Sequence, residues 1–129
     1  MPVTRSDKCF ACGKANPIGL KLEFKKESNK VVSDFVPNEN LSGYENIVHG
    51  GIVSTLLDEA IAWACAMAGF DAFTAELTVR FKFPMRVGEK VRIEGWLTQT
   101  YKKLVFGEAR ILKDDTIIAY AKAKFMKRE

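Results

Sequence analysis

From Val31 to Val79 the chain contains no lysine or arginine, although it carries 20 of them in all. Inside that stretch, Gly51 to Ala68 has the spacing of one long helix. On a wheel at about 100° per residue, Ile52, Val53, Leu56, Leu57, Ala60, Ile61, Trp63, Ala64, Met67 and Ala68 fill one half. Ser54, Thr55, Asp58, Glu59, Ala62, Cys65 and Ala66 fill the other. A helix lying on a protein surface places long cationic side chains on its outer half, and this one has none. It must therefore be surrounded. The larger apolar half is expected against a sheet, and the small half carrying Asp58 against another subunit or a ligand channel. Gly69 is the predicted stop.

The flanking segments switch to a period of two. Leu20, Leu22 and Phe24 alternate with Lys21, Glu23 and Lys25, which predicts a strand with one wet face. Val31 to Val36 reads as a second strand, and Glu39 to Asn46 as a polar loop. From Phe73 onward, Leu77, Val79, Phe81 and Phe83 face one way, while Thr74, Glu76, Thr78, Arg80 and Lys82 face the other. Pro84 ends that run. Strands are predicted at Val91–Gln99, Leu104–Leu112 and Thr116–Met126, with a hairpin turn at Asp114-Asp115. The sum is an α+β fold, one antiparallel sheet wrapped around one long central helix. At 129 residues this is a single domain, with residues 1–19 a loop segment carrying Cys9-Phe10-Ala11-Cys12.

Composition narrows the function. The net charge is +4, but the basic residues are spread through strand-like segments instead of gathering on one face between aromatics. Nucleic acid is not the expected partner, whereas a small ligand carrying phosphates needs only a few cations. The apolar run Ile52 to Ala68 is interrupted by Asp58 and Glu59 and reads as too short for a bilayer. Met1 to Asp7 has no apolar run of the secretory kind, so no membrane association and a cytoplasmic location are expected. Three cysteines do not make a disulfide framework. Cys9-x-x-Cys12 is half of a zinc site, whose other half would have to come from Cys65, His49 or another chain. The expectation is two reduced thiols and no metal.

Chemistry concentrates at His49-Gly50-Gly51, which holds the only histidine. Two glycines let the backbone approach a ligand closely, and equally allow a tight turn into the helix. A free amide at a helix start is a donor for a developing negative oxygen. Asp58, two to three turns further on, can serve as base or nucleophile. Glu59 is the competing acid, about 100° round the helix and nearer the sheet-facing half. Together these outline an acyl-transfer or hydrolysis site.

Nearly the whole chain resembles the hot dog fold, and specifically the PaaI-like acyl-CoA thioesterases. The resemblance rests on the Cys-Phe-x-Cys-Gly segment with Asn16-Pro17-Ile18-Gly19-Leu20, on Ile47-Val48-His49-Gly50-Gly51 and on Leu56-Leu57-Asp58-Glu59-Ala60. Thr74-Ala75-Glu76-Leu77-Thr78-Val79-Arg80-Phe81, Pro84 and Val87-Gly88-Glu89 follow in order. Leu41-Ser42-Gly43 departs from the His-Gln-Gly of many relatives. The resemblance implies that the Gly51 amide binds the thioester carbonyl and Asp58 is the catalytic carboxylate. It implies that His49 orients the substrate or the glycine loop, and that Thr74, supplied by a partner subunit, positions water. Gly50 and Glu59 lie on the substrate side, and Arg80, Lys82 and Arg86 are candidates for the phosphates of coenzyme A. No cofactor is implied beyond the coenzyme A of the substrate itself. An uncovered sheet edge and helix face make a homodimer the smallest expected unit, and relatives pair dimers into tetramers. A hydratase or dehydratase of acyl thioesters and a non-catalytic acyl-CoA sensor remain open alternatives. Met67, Phe70, Phe73 and Trp63 are candidates to shape an acyl pocket.

Overall fold

A helix without cations needs a trough, and the sheet supplies one. The computed structural model describes residues 5–128. Its strands are β1 (Lys25–Glu27), β2 (Lys30–Phe35), β3 (Ala72–Phe81), β4 (Val91–Tyr101), β5 (Leu104–Lys113) and β6 (Thr116–Lys127). One long helix, α1 (Gly50–Met67), lies between β2 and β3 in sequence. The strands pair antiparallel in the order β1-β2-β4-β5-β6-β3, so β1 and β3 are the edges. This is the hot dog arrangement, with α1 held against the concave face.

Small residues make the trough. Ala109, Ala119, Ala121 and Ala123 are buried on the inner face, in β5 and β6. In β4, a Cβ placed on Gly95 would lie 2.7 Å from the carbonyl of Ala60, so the helix backbone rests directly on the strand. Leu56, Leu57, Ala60 and Ile61 of α1 are then fully enclosed. The helix ends where predicted. Gly69 adopts φ +85, its N–H donates to the Ala66 carbonyl, and the Phe70 N–H reaches back to Cys65 at 2.9 Å. Those two bonds form the Schellman closure that a residue without Cβ allows. By length and composition α1 is long and apolar enough to cross a membrane, which corrects the reading of this run as too short. In this fold its apolar surface is taken up by the sheet.

Two local departures from the sequence reading affect the site. Residues 20–24 form no strand, because Lys21 takes φ 55 and breaks the extended run. The N–H groups of Leu20 and Leu22 donate instead to the carbonyls of Phe10 and Ala11 in the N-terminal segment, at 2.8 and 2.9 Å. The second departure is in β3. Thr74 pairs with Phe125 but Glu76 pairs with Lys124, so Ala75 is an extra, bulged residue.

On the convex face, the buried Glu94 accepts from Arg92 Nε at 2.8 Å, Arg110 Nε at 2.7 Å and Lys30 Nζ at 3.0 Å. Burial by itself would push this carboxyl up, but the three cationic donors outweigh it and hold it at about 2, down from 4.5. A depressed folded value means stability present above the ordinary carboxylate range and lost as pH falls from about 4.5 toward 2.

Two outcomes are expected. Gly95→Ala should destabilise the fold by about 1–3 kcal/mol in denaturant melts, since its methyl has nowhere to go against Ala60. Glu94→Gln should lose about 2 kcal/mol at neutral pH and flatten the acid limb of the stability–pH profile. A sealed pair would lose more, but side chains that are 26%, 37% and 36% exposed in Lys30, Arg92 and Arg110 can be re-solvated.

Candidate active site

At the start of α1, His49 is the N-cap, with φ −57 and ψ 135. Its Nδ1 accepts the Gly51 N–H at 2.9 Å. The amide expected to be bare is therefore already satisfied, and the unprotonated Nδ1 leaves the ring proton on Nε2. The Gly50 N–H, one residue earlier, has no acceptor among the described residues. Free donor capacity at this helix end thus sits on Gly50 instead of Gly51. The His49 N–H donates to the Leu41 carbonyl at 2.8 Å, which fixes the cap to the preceding 3-10 turn (Glu39–Leu41). Beside Gly50 opens a largely apolar cavity of about 350 Å³, lined in part by Tyr44, Val53, Phe81, Lys82, Met85 and Ile118.

Two turns along the helix, the half-buried Asp58 accepts from Thr74 Oγ1 at 2.6 Å. Strict alternation puts Thr74 with Glu76 and Thr78, facing away from the helix. The bulge at Ala75 reverses this: Thr74 shares the face of buried Phe125, while Leu77 and Val79 pair with buried Ala123 and Ala121. The bulge thus aims the hydroxyl at Asp58 within one chain, which corrects the expectation that this contact needs a partner subunit. Burial pushes the Asp58 carboxyl up, and the neighbouring Glu59 charge adds to that. The Thr74 hydrogen bond and Arg5 pull the other way without cancelling it. Asp58 lies seven helical steps beyond Gly51, an axial distance of about 10.5 Å. Within one protomer the two groups do not converge on a single atom.

Glu59 is buried, and the N-terminal segment takes it up. Its Oε2 accepts from Arg5 Nη1 at 2.9 Å and Trp63 Nε1 at 3.2 Å, with Cys9 Sγ at 4.0 Å. The Arg5 guanidinium stacks 4.2 Å from the Trp63 ring centre. This corrects the placement of Glu59 on the substrate side. Burial, then Glu59 and Cys9, push the Cys12 thiol up to about 12, and burial pushes Cys65 up to about 11. Neither is a ready nucleophile at neutral pH.

The basic candidates are scattered. Arg80 pairs with Tyr120 on the convex face, opposite to the Thr74 side of β3. Lys82 borders the cavity at the helix start, and Arg86 pairs with Ile47 in the preceding loop. All three are exposed. The apolar pocket candidates also separate. Met67 lines a second cavity of about 220 Å³ under the β1–β2 hairpin, Trp63 stacks on Arg5, Phe70 meets Lys127, and Phe73 is exposed at the sheet edge. Sequence reasoning missed Arg5, which lies 54 residues from its partner Glu59. Nothing local marks so distant a contact.

Comparison with known proteins agrees with this architecture. The family model described as the thioesterase superfamily matches residues 45–119. Acyl-coenzyme A thioesterase THEM4 of Xenopus laevis is 26% identical over 126 residues, covering 95% of this chain and 57% of the relative. The chain therefore spans little more than half the length of that protein. Acyl-coenzyme A thioesterase PaaI of Escherichia coli is 32% identical over 97 residues, covering 70% of this chain and 67% of PaaI. Among solved structures, the thioesterase superfamily protein RHA08564 superposes with a TM-score of 0.86 at 22% identity, over 90% of this chain and 61% of that one. With α1, its glycine-bearing cap and most of the sheet inside the matched region, this chain belongs to the thioesterase superfamily.

Proposed function

We propose that the protein hydrolyses an acyl-CoA thioester to a carboxylic acid and free coenzyme A. The observation that carries the reading is the Asp58–Thr74 pair, a carboxylate partly withdrawn from water and held at 2.6 Å by a hydroxyl on the facing strand. Such a carboxylate is more basic than one in bulk water and is fixed in direction, which suits it to the task. As base, Asp58 takes a proton from the water that attacks the carbonyl carbon. As nucleophile, its own oxygen attacks and water resolves the anhydride. Either way the carbon–sulfur bond breaks and the thiolate leaves to be protonated. A backbone N–H at the start of α1, that of Gly50 or of Gly51 after His49 turns aside, stabilises the carbonyl oxygen as charge develops. No redox or metal chemistry enters these steps.

The axial gap between the helix start and Asp58 argues for two copies acting together. β3 is a ten-residue edge strand with exposed Phe73 and Phe81. A long edge of unpaired N–H and C=O groups is a template for pairing. Two-fold pairing of β3 with β3 lays two helices side by side in opposite directions. The Gly50–Gly51 end of one copy then approaches Asp58 of the other, and the active unit is a homodimer. In that arrangement Lys82, which borders the cavity at the helix start, and exposed Arg86 bind the phosphates of coenzyme A as diffuse positive charge, whereas Arg80 faces the convex side. The apolar cavity beside Gly50 offers room for a short acyl or aromatic group.

Release of free thiol from a panel of short, medium, long and aromatic acyl-CoAs tests the reaction. Asp58→Asn should cost on the order of 100- to 10,000-fold in kcat/KM. Absence of thiol release from every acyl-CoA, or near-normal turnover in Asp58→Asn, would overturn the proposal. The same substitution should raise thermal stability at neutral pH. A carboxyl whose folded value is raised destabilises the fold once ionised, so the gain should vanish in acid, where the wild-type group is protonated anyway. Thr74→Val removes a donor that favours the charged carboxylate. The acid limb of its kcat/KM profile should therefore move to higher pH than that of the wild type.

A further inference from the structure

We propose that Cys9, Cys12 and Glu59 form a binding site for a zinc-class divalent metal, clipping the N-terminal segment to α1. One donor atom from each of the three lies within 4.8 Å of the others. Around tetrahedral zinc, sulfur and oxygen donors sit about 3.6–3.8 Å apart, given bond lengths of about 2.3 and 2.1 Å. Cys9 Sγ is 4.0 Å from Glu59 Oε2, so that edge of the site needs to close by only a few tenths of an ångström. From the sequence, the other half of such a site would have to come from Cys65, His49 or another chain, and two reduced thiols without metal are the expectation. The fold instead brings in Glu59, from the turn of α1 that faces the loop.

The donors are held before any metal arrives. Glu59 projects from a rigid helix with its side chain 9% exposed. The loop bearing the cysteines is closed by the Gly13 N–H donating to the Cys9 carbonyl at 2.8 Å, and docked by the Leu22 N–H on Ala11. A cavity of about 360 Å³, bordered by Arg5, Asp7, Cys12, Glu23 and Trp63, gives a cation access from solvent. Two sulfurs and one carboxylate favour zinc over magnesium or calcium, which take oxygen donors. A water would fill the fourth position.

Arg5 is the intramolecular competitor. Its Nη1 sits 2.9 Å from Glu59 Oε2 and 3.5 Å from Cys12 Sγ, touching two of the three donors as a metal would. Binding therefore displaces both guanidinium contacts and releases the two thiol protons to solvent. Two thiolates, one carboxylate and a divalent ion sum to a single negative charge, the same as the Glu59 carboxylate beside two protonated thiols, so the metal replaces the guanidinium without adding charge to the site.

The test uses the full chain, stripped with chelator and kept in a non-coordinating reductant, titrated first with Co²⁺ and then with Zn²⁺. One equivalent of cobalt should give thiolate-to-metal charge transfer in the near ultraviolet with release of two protons, be displaced by zinc without further proton release, and raise the melting temperature. Cys9→Ser and Cys12→Ser should lose the charge-transfer band, and Cys65→Ser should keep it. Arg5→Gln should tighten binding about fivefold, the equivalent of one partly exposed ion pair. No charge-transfer band in the wild type, a band that survives both serine variants, or weaker binding in Arg5→Gln would each overturn the site. None of these readouts depends on thioester hydrolysis.

Discussion

Everything in this molecule rests on how closely α1 lies on the sheet. The contact of Gly95 with the backbone of Ala60 sets that distance, and the buried alanines of β5 and β6 extend it along the helix. Because interiors are packed as densely as organic crystals, a methyl group added there has no slack to use. With the helix backbone so close, side chains at its flanks point sideways, toward the edge strand β3 and toward the N-terminal segment. Asp58 meets the first and Glu59 the second. Adjacent residues with the same functional group therefore have different surroundings, and different chemistry follows.

That divergence is a matter of what compensates burial. Glu59 and Glu94 are both buried carboxylates, and each is met by cationic donors: Arg5 for the one, Arg92, Arg110 and Lys30 for the other. Asp58 is withdrawn from water and, among the described residues, has only a neutral hydroxyl as its hydrogen-bond donor. A carboxylate left under-compensated costs stability and gains basicity. The pattern separates two carboxylates that hold the structure from the one proposed to react.

The helix cap shows a similar tension. His49 serves the fold by accepting the Gly51 N–H, and in doing so it covers a donor that oxyanion chemistry would use. Gly50 is left with the open amide beside an apolar cavity. A histidine is an uncommon N-cap, a position where serine, threonine, aspartate and asparagine are preferred.

Much of this was legible in the residues alone. The cation-free helix, the period of two around it and the Gly69 stop required a wrapped sheet, because hydrophobic patterning acts locally and repeats. The resemblance carried by His49-Gly50-Gly51 and Asp58 named the candidates for the active end. Other features depended on contacts between distant residues and could not be read from spacing. The bulge at Ala75 reversed the face on which Thr74 lies, and a bulge is chosen by the mismatch between β3 and β6, not by β3 itself. Lys21 broke a run that alternated well enough for a strand, because its neighbours found partners in the N-terminal loop. Arg5 reached Glu59 across 54 positions, turning an apparent second catalytic acid into a structural anchor. Sequence fixes what can be buried and at what period, whereas only the assembled fold decides which polar groups must compensate one another once buried.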